Sequence, residues 1–212
     1  NLDLSIDYLR DIWMSTSHQL DKEQTAPEVA EQRFKNFKNQ PLEYKFPVGF
    51  EGTFAHYGID PKRRTPSGIK AAIIREKGVN GDREMAYSLY LAGFDVKDVH
   101  MTDLVSGRED LSDVNMIVFV GGFSNSDVLG SAKGWAGSFI FNKKAKTALD
   151  NFYKREDTLS LGVCNGCQVM MELGLIYPEL GESHPRMHHN ISGKFESAFV
   201  NVDILPNETV MF

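Results

Sequence analysis

Only two cysteines, Cys164 and Cys167, occur among the 212 residues. Two cysteines so close together make no disulfide framework, and they suit a reducing compartment. No apolar run is long enough to span a bilayer and no signal peptide is visible, so a cytoplasmic location with no membrane partner is expected. An excess of positive charge is also missing. The formal net charge is −6 and the pI about 5.5, which argues against a nucleic-acid or anionic-membrane partner. There is no internal repeat and no low-complexity tract. What is present, 42% hydrophobic and 25% charged residues, is ordinary for a globular protein. A length of 212 residues suits one full domain with a smaller appendage.

The stretch that organises the chain is Leu159-Ser160-Leu161-Gly162-Val163-Cys164-Asn165-Gly166-Cys167-Gln168-Val169-Met170-Met171. Its first part is a short apolar run bounded by Gly162, which suits a buried strand. Its second part has helical spacing, with Val169, Met170 and Leu173 on one side and Gly174 as a stop. Cys164 falls where strand becomes helix, with a glycine two residues away on each side. A nucleophile on such a turn needs small neighbours, because the turn is strained and backbones pass close. The position also puts the sulfur near free backbone N–H groups at a helix N-terminus, which favours the nucleophilic thiolate. The plainer reading of the same residues is a buried structural cysteine beside a CxxC.

Around this stretch the chain reads as follows. Ser5 suits an N-cap, with Ile6, Leu9, Ile12 and Trp13 at helical spacing, so a helix is expected over 6–20. Pro27 suits the first turn of a second helix with Val29, Ala30, Phe34 and Phe37 on its apolar side, ended by Pro41. Residues 40–67, with four prolines, read as a linker with one or two short extended pieces. From Ile69 strands and helices alternate: a strand at 71–74, a helix capped by Asp82 with Met85, Leu89 and Ala92 inward, strands at 94–99 and 116–120, and helices at 132–141 and 143–155. Such alternation implies parallel β/α/β units in a doubly wound sheet, which binds ligands at the carboxyl ends of its strands. Gly121-Gly122 and Cys164 both follow strand ends and therefore fall on one edge of the sheet. From Lys194 to Leu205 the pattern alternates as a strand does. Pro206-Asn207 reads as a turn into a further strand.

Gly162-Val163-Cys164-Asn165-Gly166-Cys167-Gln168 resembles the nucleophile elbow, G-x-C-x-G-x-Q, of class I (triad-type) glutamine amidotransferases, and most closely their phosphoribosylformylglycinamidine synthase branch. Gly121-Gly122-Phe123-Ser124-Asn125-Ser126-Asp127-Val128-Leu129-Gly130 with Gly134-Trp135-Ala136 is similar to a second motif of that branch, in the right order. The resemblance covers roughly residues 68–212. It implies a flavodoxin-like α/β fold, with residues 1–67 as a helical tail of an upstream synthetase part plus a linker. It also implies a glutaminase whose ammonia serves an ATP-dependent amidation of formylglycinamide ribonucleotide in purine biosynthesis. By motif position Cys164 is the nucleophile. The N–H of Asn165 is one oxyanion donor and the other comes from the glycine loop, at Gly122 or Phe123. Gln168, one turn past Cys164, holds the substrate glutamine. Cys167 is then a packed helix residue. No metal or cofactor is expected in these residues, and ATP and magnesium belong to the synthetase part, upstream of Asn1.

The family pairs its cysteine with a histidine oriented by a glutamate two residues later. No His-x-Glu occurs in this chain. His184, His188 and His189 lie C-terminal to the elbow but in a polar stretch, so neither base nor acid is carried over. The chain begins at Asn1 rather than Met and stops inside an apolar run, and the expectation is of a piece of something longer with the pair beyond Phe212. Two readings compete with the glutaminase: another α/β cysteine hydrolase, and a non-catalytic binding or scaffold domain of the same fold. CxxC with the three histidines also leaves open a redox pair or zinc site.

Overall fold

The computed structural model describes residues 2–39, 43, 45–46, 48–197, 200, 202–209 and 211. They form two compact units, residues 50–187 and residues 1–49 with 188–212.

The smaller unit is built on two helices. The Ser5 hydroxyl accepts the Tyr8 N–H at 3.3 Å and opens α1 (Ile6–Gln24). Pro27 sits in the first turn of α2 (Pro27–Asn36), where its missing N–H is no loss. The two helices meet at buried His18, 3.0 Å from Glu31 and stacked on Phe34 at 4.2 Å, beside fully buried Ala30. Arg33 bridges Asp21 and Glu196, and Lys194 pairs with Asp21. Ile6, Ile12 and Trp13 stand exposed, although their spacing suggests an apolar face. The strand expected over 194–205 is absent among the described residues there. Alternation shapes a strand only where a neighbour takes its N–H and C=O groups. Ala198, Phe199 and Asn201 lie outside the described residues, as does Pro41. No backbone turn forms at Pro206-Asn207, where the Asn207 side chain instead accepts the Thr209 N–H on Oδ1 at 3.0 Å.

The larger unit begins with a loop whose one regular feature among the described residues is a single 3-10 turn, Ala55–Tyr57. Among the described residues of 40–67, the extended pieces expected there do not form. Then come β1 (Lys70–Arg75), α3 (Asp82–Leu91), β2 (Asp95–His100), α4 (Met101–Ser106), β3 (Met116–Phe119), α5 (Lys133–Ile140), α6 (Lys143–Tyr153), β4 (Leu159–Gly162) and α7 (Asn165–Glu172). The strands are all parallel in the order β2-β1-β3-β4, the flavodoxin-like order as far as it runs. The central strands read as unbroken apolar runs because both faces are covered. On one face Ile74, Ile117 and Phe119 pack with Trp135, Phe139 and Phe152. On the other Ile73 and Val118 pack with Leu89.

β4, expected as a buried strand, is exposed at Leu159 and half-buried over its other three residues, and three further details differ from the sequence reading. Gly81, not Asp82, is the N-cap of α3, and Ala92 is exposed at its C-cap. The six-residue α4 is too short to show a period. It is opened instead by His100, whose Nδ1 accepts the Thr102 N–H at 3.2 Å while Asp103 accepts the His100 N–H at 3.1 Å.

Candidate active site

The chain leaves β1 toward β2 on one side and returns to β3 on the other, so the carboxyl ends of β1 and β3 flank the switch point where such sheets bind ligands. The loops after β1 and β3 and the turn after β4 meet there.

The turn after β4 is held tightly. Val163 N–H donates to Phe119 O at 3.0 Å. Cys164 then takes φ 54°, ψ −112°, a region that costs a non-glycine residue about 1–3 kcal/mol. Its carbonyl accepts the N–H groups of Cys167 (3.0 Å) and Gln168 (3.2 Å), and α7 begins. The glycines are demanded by space. A Cβ on Gly166 would stand 1.9 Å from Phe119 O, and one on Gly162 would stand 2.7 Å from Met170 Sδ. A Cβ on Gly121 would stand 3.2 Å from Cys164 Cβ. Cys164 itself is exposed with a free thiol. It is therefore no buried structural cysteine.

The β3 loop is zipped to the β1 loop. Asn80 N–H donates to Gly121 O (2.9 Å), Phe123 N–H to Gly78 O (3.0 Å) and Asn125 N–H to Lys77 O (2.8 Å). Gly122 has φ 116°, and a Cβ there would stand 2.6 Å from Asn80 N. Asn125, Ser126 and Asp127 follow with φ of 52°, 57° and 49°. This strained run is fixed by Asp127 Oδ1, which accepts the Ala132 N–H at 3.0 Å. Of the two loop positions expected to offer an oxyanion donor, the Phe123 N–H is thus engaged. The N–H groups of Gly122 and Asn165 have no protein acceptor among the described residues.

The Asn165 side chain ties the two motifs together. It is 2% exposed, and Ser124 is 1% exposed. Asn165 Oδ1 accepts the Ser124 N–H at 3.1 Å and the Ser124 hydroxyl at 2.6 Å, while Nδ2 donates to Gln168 Oε1 at 2.8 Å. Sequence reasoning names Asn165 for its backbone and passes over Ser124. The position of Ser124 directly after Gly121-Gly122-Phe123 is the one signal available.

Within residues 50–187 no histidine bonds the Cys164 sulfur. His56 lies 3.8 Å from Glu51, His100 caps α4, and His184 Nδ1–H donates to Pro185 O at 2.9 Å. The His184 ring abuts Gly174, just past the far end of α7. The eight residues of that helix separate it from Cys164 by about 12 Å. His188 and His189 are exposed residues of the other unit. Cys167 is half-buried with a free thiol. Among the described residues no group of three or more His, Cys, Asp and Glu could hold a metal ion.

Fold and site together define an α/β protein with an exposed cysteine on a glycine-lined strand-to-helix elbow, close to two unpaired backbone N–H groups, Gly122 in the β3 loop and Asn165 at the start of α7. The chain belongs to the CobB/CobQ-like glutamine amidotransferase domain family, which matches residues 68–212. It is 42% identical to a probable phosphoribosylformylglycinamidine synthase, chloroplastic/mitochondrial, of Arabidopsis thaliana, over 96% of this chain and 15% of that protein. It is also 42% identical to the phosphoribosylformylglycinamidine synthases of Dictyostelium discoideum, over 94% of the chain, and of Homo sapiens, over 96%. The chain spans about 15% of the length of these curated relatives. A solved structure of PurLQS from Thermotoga maritima matches at 27% identity and a TM-score of 0.42, covering 51% of this chain and 45% of that one. No helix among the described residues is long and apolar enough to cross a membrane.

Proposed function

We propose that this chain is the glutaminase part of a phosphoribosylformylglycinamidine synthase. The Cys164 sulfur attacks the side-chain amide carbon of glutamine and a tetrahedral oxyanion forms. Its charge is taken by the N–H groups of Gly122 and Asn165, each worth about 3 kcal/mol in such a role. The carbon–nitrogen bond breaks, the thiol proton leaves with the nitrogen as ammonia, and a glutamyl thioester remains. Water hydrolyses the thioester to glutamate through a second oxyanion and restores the thiol. Gln168 holds the substrate. The general base is assigned to none of His56, His100 and His184, whose positions in residues 50–187 are described above. Ammonia then serves the ATP- and magnesium-dependent amidation of formylglycinamide ribonucleotide in the synthetase part, in the cytoplasm.

The observation that carries this reading is the exposed, left-handed Cys164 at the start of α7, next to two unpaired backbone donors. The test is labelling of the intact protein with a diazo-ketone analogue of glutamine, followed by peptide mapping. Modification of Cys164 that glutamine suppresses is the expected result. A Cys164 that reacts with iodoacetamide but ignores the analogue overturns the glutaminase and leaves a scaffold domain of the same fold.

A further inference from the structure

We propose that Asn165 is a positioning residue that acts through Gln168, turning the Gln168 amide so that its NH2 group faces the substrate. The substrate group met there is then an acceptor oxygen. The inference rests on the glutaminase reading above and deepens it.

A carboxamide has one accepting end and one donating end, and its neighbours decide which way it points. The Ser124 backbone N–H can only donate. The atom of Asn165 that it meets at 3.1 Å is therefore the oxygen, and the Ser124 hydroxyl donates to the same oxygen at 2.6 Å. The other end of the Asn165 amide is then nitrogen, which has only hydrogens to offer. So the Gln168 atom 2.8 Å away must be Oε1. With its oxygen engaged, Gln168 has its NH2 group left over. That group has no protein partner among the described residues, and the side chain is half-exposed. The direction of one backbone N–H in the β3 loop is in this way passed through a buried amide to a second amide one turn past the nucleophile. Without Asn165 the whole Gln168 side chain is free to rotate as well as to turn its amide, and holding it in the one productive pose then costs rotamer entropy.

The test compares second-order labelling of Cys164 by the diazo-ketone glutamine analogue and by iodoacetamide, which needs no substrate pocket. The intact protein is used with Asn165→Ala, Gln168→Ala and the double variant. Each single variant is expected to lower the analogue-to-iodoacetamide ratio about tenfold, the scale of one good hydrogen bond. The double variant should fall no further, because both changes remove one function. The KM for glutamine rises with kcat less affected. Losses that multiply in the double variant overturn the proposal, as does an iodoacetamide rate that falls in step with the analogue rate. Should Asn165→Ala fail to fold, Asn165→Asp decides alone. It keeps both acceptor contacts to Ser124 and loses only the donor, so a retained preference for the analogue in that variant overturns the proposal. A wild-type Cys164 with no preference for the analogue overturns the glutaminase reading too, whereas preference kept in all three variants overturns the positioning role only.

Discussion

Cys164 stands in a backbone conformation that side chains avoid, and its neighbours show why it stays there. Gly166 lets the first turn of α7 lie against Phe119 O, and Gly162 lets Met170 and Cys167 close over the strand end. With those contacts made, φ at position 164 has nowhere else to go. This gives a comparison free of side-chain chemistry. Cys164→Gly should be more stable than Cys164→Ala by about 1 kcal/mol, because alanine keeps the positive-φ penalty and glycine does not. Urea unfolding of the two variants measures it, and equal midpoints would mean that the turn stores no strain. Both variants should be silent to the glutamine analogue. At this scale the sequence was informative: glycine at fixed offsets around a cysteine is a local pattern with a local cause. The part played by the Asn165 side chain was not legible, since its partner Ser124 lies 41 residues away and nothing near Asn165 in the chain announces it.

Among the elements, the two central strands, β1 and β3, were the most legible, because burial on both faces leaves unbroken apolar runs such as Ala71-Ala72-Ile73-Ile74. α4 was not, since six residues cannot display a period. Residues 194–205 misled in the opposite sense, showing an alternation that forms no strand among the described residues. The opposite edge of the sheet from Cys164 is fastened by charge. Asp113, just before β3, takes Lys70 of β1 at 2.7 Å and Lys97 of β2 at 3.0 Å. Hydrogen bonds from Lys70 and then Lys97 hold its carboxyl down at about 2. A carboxyl pKa depressed by folding stabilises the protein above its unfolded value of about 3.9, and that contribution fades as pH falls toward 2. Asp113→Asn should therefore be less stable than wild type at pH 6, by under about 1 kcal/mol for so exposed a cluster. Near pH 2 the two should match. Urea midpoints at the two pH values check this, and a deficit unchanged at low pH would assign it to packing instead.

At the scale of the molecule, the fold class follows from alternation and the site from two motifs that the sheet brings to one edge. What the whole adds is shelter. Asn165-Gly166 is a dipeptide prone to chemical ageing: in a loose chain the glycine nitrogen attacks the asparagine amide and expels ammonia to form a cyclic imide, which water then opens to aspartate or isoaspartate. Here the Gly166 nitrogen is tied to Val163 O at 2.8 Å and the Asn165 amide is held from both ends. Native protein stored at mildly alkaline pH should keep Asn165 intact, while urea-unfolded protein under the same conditions loses it. Peptide mapping for isoaspartate reads the difference, and equal rates would mean that the fold gives no protection. The side chain that aims Gln168 thus also serves as a record of the time each molecule has spent unfolded, written as an irreversible loss that refolding does not repair.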